Sequence, residues 1–184
     1  MIAINVPLDL ECFRYEKTEG GYRILGFAES FTEDIDALVF PEGVVSIAES
    51  AFKYYALVEI YFPKSLVVIE KEAFEHCICL EKIYFPDDCE LKTIGIRAFF
   101  CCEELVIANL PNGLRTIERD AFCCCFNLSK VFIPITVKTV RRDAFQYCDA
   151  LDVIYLDGER LPVGFDPDWK EKHTRVIFVD MSIN

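Results

Sequence analysis

The side chains best suited to chemistry in this chain of 184 residues are ten cysteines and two histidines, and their spacing is regular. Cys77, Cys102, Cys125 and Cys148 follow one another at intervals of 25, 23 and 23 residues, and His76, Cys101 and Cys124 sit one position ahead of the first three. Thiolates and imidazoles are soft metal ligands, and two thiols within reach of each other can be oxidised to a disulfide. If these positions stack on neighbouring strands ~4.8 Å apart, His76, Cys101 and Cys124 approach as a metal triplet, or Cys101 and Cys124 approach as a redox pair. Ligands on one straight column do not converge on a tetrahedron, however, and no C-x-x-C spacing occurs, so no metal is expected. The column Cys77, Cys102, Cys125 and Cys148 reads as packing, because a thiol at a repeated core position behaves as a small apolar group with a weak donor.

Catalysis finds no constellation to support it. His76 and His173 are the only histidines, and none of the strings G-x-x-x-x-G-K-S/T, H-E-x-x-H, G-x-S-x-G or G-x-G-x-x-G is present. A reactive thiolate needs a positive neighbour, whereas Cys101 is followed by Glu103 and Glu104. The acid pairs Glu103-Glu104 and Asp87-Asp88 fall in expected turns and read as solvated surface. Neither an enzyme nor a cofactor is expected.

Net charge narrows the partners. With 31 acidic against 19 basic side chains, a net charge of -12, and no basic run, nucleic acid is excluded as an expected ligand. The first fifty residues alone hold ten acids and three bases, so a partner reading that end should be basic or neutral. No apolar run reaches the ~18 to 20 residues of a membrane span, so no membrane insertion is expected. The opening Met1-Ile2-Ala3-Ile4-Asn5-Val6-Pro7 lacks a basic flank and meets Asp9 and Glu11 before an apolar stretch of signal-peptide length forms. Many thiols without such a leader suggest a reducing, cytoplasmic compartment; a leader missing from the sequence would suggest the cell surface or secretion instead.

The regular spacing extends beyond cysteine. Ala-Phe occurs at 51-52, 73-74, 98-99, 121-122 and 144-145, and an apolar residue precedes proline at Pro41, Pro63, Pro86, Pro111 and Pro134. Five units of about 23 residues therefore fill residues 35–157, between an N-terminal cap over 1–34 and a C-terminal cap over 158–184, in a single domain. In Ile83-Tyr84-Phe85 and its equivalents the period is two, so the middle residue faces away from its neighbours, as in a strand that the following proline ends. The segment Ile117 to Phe122 and its equivalents are too short for a stable α-helix and read as turns of 3-10 or short helix. One unit cannot bury its own apolar face, but stacked units can, so Phe52, Phe74, Phe99, Phe122 and Phe145 should form one internal column.

The stretch from Val137 to Ile154, with its four counterparts, resembles the BspA-type leucine-rich repeats of bacterial cell-surface antigens. The resemblance implies an α/β, right-handed leucine-rich-repeat solenoid, with a parallel β-sheet on one face and short 3-10 or α turns opposite. It also implies an interaction or adhesion role, though not a shared ligand. The flanks are similar to that family's caps: a β-hairpin around Gly20-Gly21, and a loop ending in a strand over Thr174 to Val179, with Trp169 covering the last coil.

The outward strand positions are then Val39, Tyr61, Tyr84, Asn109, Phe132 and Tyr155, and two residues earlier on the same face lie Ala37, Glu59, Lys82, Ile107, Lys130 and Val153. Stacked aromatics rimmed by mixed charge are the composition of a protein-binding hot spot, and Tyr61, Tyr84, Asn109, Phe132 and Tyr155 with Glu59, Lys82 and Lys130 are the expected contact residues. The same aromatics can also serve only one another across strands. The expected partner is a protein of unknown identity; self-association through this face or the end strands into a homo-oligomer, or adhesion at a cell surface, are the alternatives.

Overall fold

The computed structural model describes residues 6–180. Its strands run in chain order β1 (Phe13–Lys17), β2 (Tyr22–Phe27), β3 (Ala37–Val39), β4 (Val44–Ile47), β5 (Glu59–Tyr61), β6 (Val68–Ile69), β7 (Lys82–Tyr84) and β8 (Thr93–Ile94). They continue as β9 (Ile107–Asn109), β10 (Thr116–Ile117), β11 (Lys130–Ile133), β12 (Thr139–Val140), β13 (Val153–Asp157), β14 (Gly164–Phe165) and β15 (Arg175–Val179). From β3 onward the chain alternates between two sheets, an eight-stranded one ordered β1-β2-β4-β6-β8-β10-β12-β14 and a seven-stranded one ordered β15-β13-β11-β9-β7-β5-β3. Every neighbouring pair is parallel except β1 and β2. The result is a parallel β-solenoid of about seven turns with the repeats as its coils.

The apolar side chains explain why coils stack. Phe52, Phe74, Phe99, Phe122 and Phe145 are wholly buried and lie nearly face to face, with ring centroids 5.5, 5.4, 5.2 and 5.2 Å apart. Trp169 closes the column edge-on against Phe145 at 5.9 Å, and Phe27 does so against Phe52 at 5.0 Å. Beside each ring sits the repeated thiol. Cys77, Cys102, Cys125 and Cys148 donate to the carbonyls of Phe52, Phe74, Phe99 and Phe122 at 3.2, 3.3, 3.2 and 3.1 Å. Each thiol thus satisfies a carbonyl of the preceding coil, and burial pushes Cys77 and Cys148 up to about 12 and the other two well above the usual thiol range. The packing reading of this column holds.

The corners between sheets correct one expectation. The segments expected to be 3-10 or short helix are not helical; among the described residues the one helical turn is Leu10–Cys12, in the N-terminal cap. Two left-handed residues per unit, four apart, are the cause: Ser50 and Tyr54, Glu72 and His76, Arg97 and Cys101, Asp120 and Cys124, Asp143 and Tyr147, all with φ between 54° and 67°. With this alternation the amides point two ways. Glu72, Phe74 and His76 donate to Ile96, Ala98 and Phe100 in the next coil, while Glu75 and Cys77 donate back three residues to Glu72 and Phe74. A helix sends every amide along its own chain; here every second one ladders to the neighbour, so the corner becomes part of the stack.

Both caps form as expected. β1 and β2 make an antiparallel hairpin whose turn needs Gly21 at φ 152°, and the Leu8 amide donates to Val39 on the outer edge of β3 at 3.0 Å. At the other end β14 and β15 add one strand to each sheet.

Three outcomes follow from this packing. Phe99→Ala should lower stability by about 3 to 5 kcal/mol, measured as the shift of the denaturant midpoint, because a ring is removed from mid-column with no side chain able to collapse into its place. Ser50→Gly should instead raise the melting temperature by a few degrees, since a left-handed residue with a Cβ costs about 1 kcal/mol and its hydroxyl meets only Glu72 at 3.5 Å. An unchanged or lower melting point would show that the corner carries no strain. In native protein, alkylation read by peptide mass should mark the exposed Cys79 and spare Cys77, Cys102, Cys125 and Cys148.

Candidate functional site

The outward face of the seven-stranded sheet is fixed by which side chains the core takes. Leu38, Ile60, Ile83, Ala108, Val131 and Ile154 point inward and are buried, so the residues after them point out. Parallel register then aligns Val39 with Tyr61, Tyr61 with Tyr84, Asn109 with Phe132, and Phe132 with Tyr155. Tyr61 and Tyr84 stack at 4.4 Å and 12°, and Phe132 and Tyr155 at 4.9 Å and 11°. Asn109 separates the two pairs. There the ladder is also thinnest, for β7 and β9 pair only through Lys82 and Ile107.

Stacking changes how much ring the face offers. Tyr84 is 39% exposed and Ile107 40%, whereas Tyr61, Phe132 and Tyr155 are half-buried. Within each pair the ring faces are turned to one another, which leaves less of each ring to solvent. The aromatics thus support each other across strands, and they leave a shallow strip whose middle is Tyr84, Ile107 and Asn109.

The charged rim is ordered on one side only. Lys82 Nζ donates to Glu59 Oε1 at 2.8 Å, and the Tyr61 hydroxyl donates to Glu59 Oε2 at 2.7 Å. The Lys82 ammonium, followed by that hydroxyl, holds the Glu59 carboxyl below the usual carboxylate range. Lys130, in register with Ile107 on the neighbouring strand, joins none of the ion pairs among the described residues. The strip thus runs from a neutralised Glu59–Lys82 pair to an exposed, unpaired cation.

The thiol and imidazole column lies at the left-handed corner positions. The His76 ring packs between Tyr54 at 5.1 Å and Phe100 at 5.7 Å, with Nδ1 3.5 Å from Glu75 Oε1. Cys124 touches Cys123, Sγ to Sγ 3.6 Å, and lies beside Cys101, whose thiol is pushed up to about 12 by burial and by that neighbour. No group of three or more His, Cys, Asp or Glu among the described residues is arranged to hold a metal ion, and all ten cysteines are free.

Two features escaped the sequence reading. Ile177 of β15, in register with Tyr155 and 40% exposed, carries the outward row one coil further; the alternation Val176-Ile177-Phe178 was the available signal. The most exposed tyrosines are also elsewhere, at the corners, where Tyr54 is 68% and Tyr147 56% exposed. They stand at opposite ends of the stack and form no strip.

The comparisons agree with this geometry. Residues 27–152 match the profile of the BspA type leucine rich repeat region, in six copies. The leucine-rich repeat protein of T. pallidum is 30% identical over 82% of this chain and 72% of its own, with a TM-score of 0.75. A leucine rich cell surface protein from Faecalibacterium prausnitzii is 31% identical over 79% of this chain and 38% of its own, with a TM-score of 0.70. A leucine-rich repeat protein from Bacteroides ovatus, at 23% identity, 85% and 50% coverage and a TM-score of 0.65, shares the fold. This chain thus spans well under two thirds of the last two, and none of the curated proteins compared matches it. A repeat that recurs in phase, the coils it builds and the family profile over most of its length place this chain in the BspA-type leucine-rich repeat family.

Proposed function

We propose that this chain is a non-enzymatic interaction module that binds a protein partner on the outward face of its seven-stranded sheet, through Tyr61, Tyr84, Asn109, Phe132 and Tyr155, with Glu59, Lys82 and Lys130 at the rim. Repeat proteins of this family serve generally as protein-interaction modules and are generally not enzymes. The observation that carries the choice of face is the pair of aromatic stacks at 4.4 and 4.9 Å on either side of Asn109. Rigid, mutually supported rings lose little entropy on binding, which makes them effective anchors. The exposed Lys130 favours a partner with a carboxylate at the edge of its footprint. Ten free thiols support residence in a reducing compartment.

Tyr84→Ser with Phe132→Ser should abolish capture of any partner isolated with the wild type, or weaken it at least tenfold (about 1.4 kcal/mol). The far-UV spectrum should be unchanged, because both residues lie outside the core. Tyr54→Ser with Tyr147→Ser, at the corners, should leave capture intact. Binding that survives the first pair and fails with the second moves the site to the corner.

A further inference from the structure

The outward row of the seven-stranded sheet is a ring stack with one ring missing. Tyr61 rests on Tyr84 and Phe132 on Tyr155, each pair within 12° of parallel, and the coil between the pairs carries Asn109. Neither Tyr84 nor Phe132 has a ring on its other side among the described residues. Two strand spacings, ~9.6 Å, separate those two rings. A ring set midway would lie ~4.8 Å from each, and the two native pairs already keep such spacings, at 4.4 and 4.9 Å. The Asn109 side chain is exposed and shorter than a ring, so it floors this gap without filling it.

The backbone ladder opens at the same place. Phe40, Phe62 and Leu110 each donate their amide to the outward residue of the next coil, at Tyr61, Tyr84 and Phe132. Phe85, at the equivalent position beside Asn109, makes no such bond among the described residues. Its coil is also two residues longer, for Leu91 follows Pro86 by five residues where Leu66, Leu114 and Val137 follow their prolines by three. The Asn109 carboxamide has no hydrogen-bond partner among the described residues either, so the floor of the gap offers both a donor and an acceptor.

Charge selects among the planar groups that stack on rings. Glu59 and Lys82 pair with each other, whereas Lys130, exposed and one strand from Asn109, joins no ion pair among the described residues. Glu81 and Asp152 are exposed acids just ahead of β7 and β13, and neither forms an ion pair with Lys82 or Lys130. Lys130 therefore disfavours an arginine guanidinium in the gap and favours a ring carried by an acidic segment. A nucleobase is equally flat, but a chain with a net charge of -12 and no basic run gives its phosphates little to bind.

We propose, resting on the reading of this face as the binding surface, that the gap over Asn109 takes one aromatic side chain of a protein partner as the missing ring, and that Lys130 takes a carboxylate two residues from it. In an extended segment, side chains two apart lie on one side at ~6.7 Å. The same offset separates the outward rows of Asn109 and Ile107, and Lys130 stands in register with Ile107. The incoming ring is covered on both faces, by Tyr84 and Phe132, which is the enclosure a hot-spot anchor needs.

Asn109→Tyr supplies the ring from the chain itself. It should raise the melting temperature by a few degrees, because the row then stacks unbroken; a lower melting temperature would mean that the gap is not one ring wide and overturns the inference. Binding is read with a display library of short random peptides panned on the wild type. Enriched peptides should carry Phe, Tyr or Trp with Asp or Glu two residues away, and their dissociation constants should rise about tenfold or more on Asn109→Tyr. Lys130→Glu, at an exposed position, should weaken them likewise and select basic peptides in their place, which decides the matter if the tyrosine variant misfolds. A library that yields no binder, binders without an aromatic, or binders indifferent to both variants overturn the inference. Peptides lost with Tyr84→Ser and Phe132→Ser but kept with Asn109→Tyr retain the face and reject the gap; peptides that survive all of these reject the face as well.

Discussion

A coil of about 23 residues has one apolar edge and nothing of its own to put against it. Everything in this molecule depends on the neighbour at one strand spacing. That spacing, ~4.8 Å, repeats equivalent side chains in the same orientation from coil to coil, and it is why the phenylalanine column lies flat, at 5.2 to 5.5 Å and within 10° of parallel. The alanine before each phenylalanine, and the cysteine three residues after every one but Phe52, follow from the same limit. Inside the stack a small side chain fits beside the ring, and one with a donor also satisfies the phenylalanine carbonyl of the coil before. Cysteine does both, since its thiol is small, apolar and still a weak donor.

Much of this was legible because it repeats. The Ala-Phe column, the outward alternation in Lys82-Ile83-Tyr84 and the packing role of Cys77 and its equivalents all leave a mark at fixed phase. The corners did not. Nothing in the types Ser50, Glu72, Arg97, Asp120 and Asp143 announces a left-handed backbone, and glycine, the usual sign, is absent there. The conformation is imposed from outside, by amides that must reach the next coil. Strands of two residues, such as Val68–Ile69 and Thr93–Ile94, are likewise too short for a period of two to appear, so the second sheet was hidden behind the expectation of short helices.

The candidate face was legible as a row and illegible as a surface. Alternation says which side a residue faces, but not how far a neighbour one strand away covers it. Tyr61 and Tyr84 shield each other, as do Phe132 and Tyr155, and the strip that remains is defined as much by Asn109, where no ring stands, as by the rings. A face of this kind can change its ligand without disturbing the fold. Core positions answer to the column; outward positions answer only to their two strand neighbours.

The two ends of the stack show that apolar and backbone exposure are separate costs. An uncovered ring at the end of the column would face water at ~25 cal/mol for each Å² of apolar surface, and both ends prevent it, with Phe27 at the front and Trp169 at the back. An uncovered strand edge costs far less in water, because solvent can satisfy its amides and carbonyls. Stability alone therefore demands a ring over each end and leaves the edges undecided. At the front β1 pairs with β2 and the Leu8 amide with β3; at the back, among the described residues, the two sheets end on β14 and β15.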